Sequence, residues 1–209
     1  MNRRTILWVA PLLAYLLFIF WYTNTGGPLT AEEIEGYIEK LQSSGSTPER
    51  IARIRKFMES DTGNQFLMLN NIDMNETPGD VDGAQPGESA AQLMGRYMEH
   101  MYPELFKRAS HPVYFGVAVH SAMDIVGIEG AENWDQAALM RYRSRRDLFE
   151  IATNPAFQGK HHFKIAALTK TIAYPLESML NFSDPRFLLA IILTMIVALV
   201  DIGIYGRRN

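Results

Sequence analysis

The sequence predicts an α+β domain held between two apolar helices, one near each end of the chain. Ile6–Tyr22 is a run of 17 residues without a charge, and Phe187–Tyr205 is a run of 19 residues whose single charge is Asp201. Between them, segments with the two-residue period of strands alternate with segments of helical period. We therefore divide the chain into an N-terminus (1–5), a first transmembrane helix (6–22), a linker and helical stalk (23–64), the α+β domain (65–178), a second linker (179–186), a second transmembrane helix (187–205) and a C-terminus (206–209).

Both apolar runs are long enough to cross a bilayer. A hydrocarbon core about 30 Å thick needs roughly 17–25 residues of helix. The first run could instead be a cleaved signal peptide, because Arg3 and Arg4 precede it. Its apolar stretch is longer than the usual 7–15 residues and no small-residue cleavage site follows, so we expect a retained anchor. The second run could be a buried helix of the domain, but it is apolar on all sides, which favours the membrane.

The flanking charges predict the orientation. Arg3 and Arg4 precede the first run, and Arg207 and Arg208 follow the second. Positive residues stay in the cytoplasm, so we expect a two-pass protein of the inner (plasma) membrane with both termini cytoplasmic and the main domain periplasmic. Without those four arginines and Asp201, 16 basic residues face 22 acidic ones, a net charge near −6. This charge argues against nucleic acid or an anionic membrane surface as a partner. With no cysteine, disulfides and thiolate metal sites are excluded.

The central segments predict the topology of the domain. A capping box of Thr30 and Glu33 begins one helix of the stalk, and Thr47-Pro48 begins the other. Strands are expected at Gln65–Asp73, His111–Val126, Gln136–Tyr142 and Thr171–Leu176, with helices at Glu88–Ala109 and, broken at Asn154-Pro155, from Ser144 to about Leu168. The order strand, helix, strand, strand, helix, strand is that of ferredoxin-like, split βαβ domains. Helices cover one face of such a sheet, and a second copy commonly covers the other.

One stretch of the chain resembles a known superfamily. Ala138–Pro175 contains a strand that ends in Tyr-Arg-Ser, a helix broken by Asn-Pro and a strand that ends in Tyr-Pro. It resembles the second half of the dimeric α+β barrel proteins, which include antibiotic-biosynthesis monooxygenases and EthD-like proteins. The resemblance covers about half of the chain, from Gln65 to Glu177, and implies a ferredoxin-like domain that dimerises. Members range from cofactor-independent oxygenases to haem-binding proteins, and this sequence itself indicates no cofactor.

His120, Tyr142 and Tyr174 are the candidate catalytic residues. His120 falls in the predicted strand 111–126 near Gly116 and Ala118, whose small size would leave room for a ligand. A histidine in an apolar cavity could act as an acid or a base; the alternative is a hydrogen-bonded interface histidine. Tyr142 and Tyr174 end two strands and could face the same cavity, where they would bind an aromatic substrate.

Four arginines form the basic segment RYRSRR, namely Arg141, Arg143, Arg145 and Arg146. The last two fall in the first turn of a predicted helix, where the helix dipole disfavours cations. A carboxylate or an anionic ligand should therefore offset them. Salt bridges to Asp147, to Glu150 or to a partner subunit are the simpler interpretation.

Three further residues are candidates for a metal site or an intramembrane contact. His161 and His162 are adjacent, so on a helix they point about 100° apart and cannot easily bind one metal without other ligands. We expect core or surface roles for them, with metal ligation as the alternative. Asp201 lies in the second apolar run, where an acid costs about 2.5–3.5 kcal/mol at the bilayer centre. It should lie near the interface or pair with a cation of a neighbouring subunit.

Two functions remain open. The first is an accessory or structural subunit of a larger membrane complex, with an extracytoplasmic domain for dimerisation or docking. The second is a membrane-tethered dimeric barrel that binds or oxidises a small apolar or aromatic molecule. Two anchors on one small domain favour the first, because a tethered enzyme needs only one.

Overall fold

The computed structural model describes residues 2–179 and 181–206, which fold into two compact units. One unit is Gly26–Glu177, and the other combines the terminal segments Met1–Thr25 and Ser178–Asn209. The elements are α1 (Arg3–Tyr22), α2 (Ala31–Ser43), α3 (Pro48–Glu59), β1 (Phe66–Met74), α4 (Ala90–Lys107), β2 (His111–Val117), β3 (Gln136–Tyr142), α5 (Arg145–Ala152), α6 (Pro155–Gln158), α7 (His161–Ala166), β4 (Leu168–Leu176) and α8 (Pro185–Tyr205).

The four strands form one antiparallel sheet in the order β2-β3-β1-β4. The first and last strands of the domain are neighbours, and each βα pair crosses over the sheet. This is the topology of a ferredoxin-like α+β domain, so the predicted fold class is confirmed at that level.

Most predicted elements agree with the structure within a few residues, with one larger correction. β2 ends at Val117, whereas the alternating pattern predicted a strand to Val126. β3 begins only at Gln136, which pairs with Val117, and beyond this pair the two arms are joined by isolated backbone hydrogen bonds instead of a continuous ladder. A strand needs a partner for its backbone groups, and apolar alternation cannot show where the partner begins. The helix predicted after Asn154-Pro155 is also divided, into α6 and α7.

The core lies on one face of the sheet. Phe66 of β1 and Tyr142 of β3 are opposite each other in the register and stack, with ring centroids 5.3 Å apart and planes inclined by 12°. Their cluster also includes Met101 and Leu105 from α4. The strand residues found in the core clusters are Phe66, Met68, Met74, Met140 and Tyr142. All of them belong to the same face.

The α2–α3 pair is packed into this unit. Ile34, Tyr37 and Ile38 of α2 form a buried cluster with Met58 of α3 and Phe149 of α5. The predicted capping box is present, since Thr30 Oγ1 accepts from Glu33 N at 3.2 Å and Glu33 Oε2 accepts from Thr30 N at 2.8 Å. The helical stalk of the prediction is thus held by a hydrophobic core shared with α5.

The terminal unit is an antiparallel pair of helices. Arg4 Nε and Nη2 donate to the two carboxylate oxygens of Asp201 at 2.8 and 2.7 Å. At the other end of α1, Tyr15 Oη donates to the carbonyl oxygen of Arg186 at 3.1 Å. The start of α1 and the end of α8 therefore lie at the same end of the pair. Both helices are long and apolar enough to cross a membrane.

Candidate functional site

The sheet face opposite the core carries an apolar stripe, which we call the open face. Leu69 on β1 pairs with Leu139 on β3 and with Tyr174 on β4, and these three side chains point away from the core clusters. Because side chains alternate along a strand, the residues two positions away share this face. The larger apolar members of the open face are Leu67, Leu69, Leu139, Ile172, Tyr174 and Leu176, and the face also carries the polar Asn71, which pairs with Ile172.

The open face remains accessible at its edge strand. Ile172, Tyr174 and Leu176 on β4 are 37%, 44% and 38% exposed. Single exposed apolar residues are ordinary on protein surfaces, but a contiguous apolar stripe on a sheet marks an interaction surface. The open face is therefore the candidate functional site of the domain.

Polar groups border the stripe at both ends. At one end, buried Arg141 donates from Nε and Nη2 to Gln65 Oε1, at 2.8 and 2.6 Å, and also bonds the carbonyl oxygen of Ala109. At the other end, Lys170 Nζ lies 3.6 Å from Asp73 Oδ2 and 5.0 Å from the centre of the Trp134 ring. The apolar surface is thus confined to the middle of the face, as in an interface with a polar rim.

The segment between β2 and β3 adds a second exposed apolar surface. Its two arms are joined by backbone hydrogen bonds from Ala118 N to Asp135 O, at 2.7 Å, and from Ala122 N to Glu132 O, at 2.8 Å. Within the segment that these bonds close, Val119, Met123 and Val126 are 98%, 90% and 84% exposed. We call residues 118–135 the β2–β3 loop. Sequence reasoning missed this loop because its alternating residues resemble a strand.

The structure does not bring the three candidate catalytic residues together. His120 is exposed in the β2–β3 loop, where Nδ1 lies 3.0 Å from Ser121 Oγ, rather than on a strand that lines a cavity. Tyr142 is buried in the core, where burial raises the pKa of its phenol. Tyr174 lies on the open face, on the opposite side of the sheet. Within one chain, they do not form a shared site.

Three of the four arginines of the basic segment pair with carboxylates, whereas Arg141 bonds Gln65 and the Ala109 carbonyl. Arg143 forms a bidentate pair with Asp147, at 3.0 and 2.7 Å. Arg146 donates from Nε and Nη2 to Glu33 on α2, at 2.5 and 3.0 Å, and this contact lowers the pKa of Glu33 to about 2. A pair with Glu150 is not seen for these arginines, since Glu150 Oε2 accepts instead from Arg108 Nε at 2.9 Å.

Arg145 connects α5 to the end of α3. Its side chain is 8% exposed, and Nε lies 3.4 Å from Oδ1 of Asp61, whose side chain is 2% exposed. Its guanidinium also donates to the carbonyl oxygen of Phe57, and the guanidinium carbon lies 4.3 Å from the centre of the Phe57 ring. The sequence predicted a countercharge but could not place it, because Asp61 and Glu33 are far away along the chain. The roles of Arg145 and Arg146 are thus in holding α2 and α3 on α5.

The adjacent histidines point to different surroundings. The His161 ring lies 6.1 Å from the Tyr97 ring, edge to face, whereas His162 Nε2 lies 3.0 Å from the carbonyl oxygen of Asp82. Across the described residues, no group of three His, Cys, Asp or Glu side chains is placed to hold a metal ion. The cation beside Asp201 is Arg4 of the same chain, so its predicted pairing with a neighbouring subunit is not required.

Comparisons with known proteins show the fold alone. No protein-family model matches the chain, and no curated protein matches it in sequence. A crystal structure of a protein of unknown function from Rhodopseudomonas palustris aligns with a TM-score of 0.51 and 18% identity, over 65% of this chain and 95% of the other. The methylated form of that protein gives 0.52 and 20%, over 66% and 95%. A dimeric ferredoxin-like protein of unknown function from Bacteroides fragilis gives 0.33 and 13%, over 55% and 96%.

Proposed function

We propose that this chain is a membrane-anchored accessory subunit whose ferredoxin-like domain docks through the open face onto a second copy of itself. The observation that carries the proposal is the apolar stripe of Leu67, Leu69, Leu139, Ile172, Tyr174 and Leu176. An isologous contact would bury this stripe on both chains at once. The resemblance of Ala138–Pro175 to dimeric α+β barrels supports the same arrangement.

The sheet supplies part of the area that such a contact needs. Strands about 4.8 Å apart, with a rise of about 3.3 Å per residue, give four strands of this length a face of roughly 15 by 25 Å. That flat area is about half of the roughly 800 Å² per partner that a standard interface buries. The relief of the side chains and the exposed β2–β3 loop would supply the remaining area.

The terminal helices support anchoring in a membrane by two spans. Asp201 has a bidentate partner in Arg4, which belongs to α1. If α1 were cleaved as a signal peptide, this carboxylate would lose that partner, and an unpaired acid in a membrane-spanning helix is unfavourable. The ion pair therefore favours retention of α1. Arg3 and Arg4 at that end favour a cytoplasmic location for it, with the domain periplasmic; Arg207 and Arg208, used in the same prediction, lie outside the described residues.

The alternative function is the binding or oxidation of a small apolar or aromatic molecule. Tyr174 on the open face and Tyr114 on β2 favour it, because two phenols near an aliphatic surface suit an aromatic ligand. The ligand would lie between the two sheets of a dimer. The accessory role remains the better supported, since His120, Tyr142 and Tyr174 do not converge within the chain.

The experiment is the native mass of the full chain, extracted in mild detergent from its own membrane. The decisive variant is Ile172→Glu, on the open face, and the matched control is Ile165→Glu, because Ile165 on α7 is 58% exposed. We expect wild type and Ile165→Glu to be dimeric or bound to other subunits, and Ile172→Glu to be monomeric. Ile172→Glu with the wild-type mass would refute docking through this face.

The polypeptides and small molecules that co-purify with the chain distinguish the two proposed functions. Stoichiometric polypeptides identified with the dimer would establish the accessory role. A dimer that retains a small aromatic molecule, and loses it in Tyr174→Ala, would favour the alternative. A wild-type chain that is monomeric and alone would contradict both.

A further inference from the structure

The β2–β3 loop crosses one end of the sheet on the side of the open face. It connects β2 to β3, yet it reaches Lys170 on the opposite edge strand, β4. Lys170 Nζ donates to the carbonyl oxygen of Gly130 and lies 5.0 Å from the centre of the Trp134 ring. Lys170 is two positions from Ile172 on β4, so its side chain points to the open face. The loop therefore spans the two strand spacings from β3 to β4, roughly 10 Å.

The base of the loop is also fixed to the end of β1. Asp135 N donates to the carbonyl oxygen of Ile72 at 2.9 Å, and Met74 N donates to Oδ2 of Asp135 at 2.6 Å. Contacts with β1 and β4 thus position the loop within a single chain. An element that is already positioned loses little conformational entropy when it enters an interface.

The apolar side chains of the loop are left to solvent by the rest of the domain. Val119, Met123 and Val126 are almost fully exposed. They adjoin a sheet whose flat area is about half of what a standard interface buries on each partner. A second copy docked on the open face would need apolar area at this border, so a second copy is the occupant that the loop fits.

The two ends of the open face differ in charge. The loop end has no lysine or arginine within residues 118–135 but carries the carboxylates of Asp124, Glu129 and Glu132. The other end holds the guanidinium of Arg141, which bonds uncharged acceptors. If like ends met, the carboxylates of both loops would repel each other. If opposite ends met, each loop would lie towards an arginine of the other copy, which is the complementary arrangement.

We propose that the β2–β3 loop of each copy packs on the far end of the second copy's open face, at Leu67 and Leu176. These two residues pair with each other at the end of the sheet away from the loop. The inference rests on the proposed docking through the open face and adds which parts of the two copies meet. The strands of the two sheets then run in opposite directions, and a two-fold axis across the strands gives both loops the same contact.

Cross-linking between two differently tagged copies of the full chain, co-expressed in one membrane, tests the arrangement. One copy carries Met123→Cys in the loop and the other carries Leu176→Cys at the far end of the face, in a chain without other thiols. We expect a bifunctional thiol reagent to join this pair, and to leave two Met123→Cys copies unjoined. The matched control pairs Met123→Cys with Phe106→Cys, an exposed position on α4, and should give no product.

Leu69→Cys in both copies reports the docking of the open faces separately. If it is cross-linked while Met123→Cys reacts in neither combination, the loop lies outside the interface and only the present inference fails. Cross-linking of Met123→Cys with itself, but not with Leu176→Cys, would overturn it by showing that like ends meet. Failure of Leu69→Cys to be cross-linked would overturn the docking itself and the loop contact with it.

A polar substitution in the loop provides a second test. Met123→Ser/Val126→Ser changes only exposed side chains, so the single chain should keep its thermal stability. The chain concentration for half-dimerisation in mild detergent should rise by about tenfold, because apolar area leaves the interface. Ile165→Ser, at an exposed position on α7, is the control and should dimerise like wild type. Unchanged dimerisation of the loop variant would contradict the proposal.

Discussion

The two faces of the sheet are built from the same four strands but meet different neighbours. On the core face, Phe66 and Tyr142 are 2% and 5% exposed under a layer of helices. On the open face, Tyr174 and Ile172 are 44% and 37% exposed, although they are as apolar as their counterparts. The core face is thus completed by folding, whereas we propose that the open face is completed by association.

Loss of Tyr142 should cost the most. Tyr142→Ala removes a buried ring that stacks on Phe66, and truncation of a buried aromatic side chain lowers the free energy of unfolding by about 3–5 kcal/mol. Denaturant unfolding of the purified chain measures it. Tyr142→Phe, which keeps the ring, is the control and should cost far less. A small effect of Tyr142→Ala would show that the core face is not the rigid side of the sheet.

The layer of helices on the core face depends on Arg145. Arg145→Met leaves the buried carboxylate of Asp61 without its cation, which should cost about 3 kcal/mol. Asp61 keeps hydrogen bonds from Leu29 N and Gly63 N, at 2.9 and 3.0 Å. These bonds still stabilise its carboxylate, so the loss of free energy of unfolding should not exceed that value. The matched control is Arg55→Met, because the Arg55–Glu35 pair is exposed and should contribute less than about 1 kcal/mol. Equal losses in the two variants would contradict the account.

Lowering the pH should destabilise the helices on the core face, by less than either substitution above. Arg146 lowers the pKa of Glu33, and Arg96 that of Glu88, in each case to about 2. A carboxylate of the unfolded chain titrates near 4.3, so both pairs stabilise the fold fully above that pH. This stability should be lost as the pH falls from about 4.5 towards 2. Tm measured against pH should show the loss, and Glu33→Gln should flatten it; an unchanged slope in that variant would exclude the Glu33 pair as a cause.

The open face should contribute least to the stability of a single chain. In the Ile172→Glu background, which we expect to be monomeric, Tyr174→Ala should cost less than about 1 kcal/mol because the ring is already half exposed. In the wild-type background the same change should cost more, since it also weakens the dimer. Equal costs in the two backgrounds would show that association does not bury Tyr174.

The fold was largely predictable from local pattern. Gln136–Tyr142 is a strand with the predicted bounds, and the Thr30 capping box begins α2 as its residue types indicate. These features are local, because caps and side-chain alternation depend on residues close along the chain. The strand predicted to Val126 was wrong, since its end depends on where a distant partner strand begins.

The candidate site was less predictable because its groups come from distant segments. Asp201 is 197 residues away from Arg4 along the chain, and no local signal joins them. The convergence of His120, Tyr142 and Tyr174 failed for a similar reason. Tyr142 follows the alternation of β3 to the core face, whereas Tyr174 follows that of β4 to the open face. The register that fixes these faces is a property of the assembled sheet.

Single-cysteine cross-linking in native membranes tests the central claim, that the open face joins two copies, most directly. The chain has no cysteine, so each introduced thiol reports one position without background. Leu69→Cys probes an inner strand of the open face, and Phe106→Cys, at a 53% exposed site on α4, is the control. We predict that a bifunctional thiol reagent cross-links Leu69→Cys into a dimer and leaves Phe106→Cys monomeric. A Leu69→Cys chain that stays monomeric while Phe106→Cys is cross-linked would contradict the account.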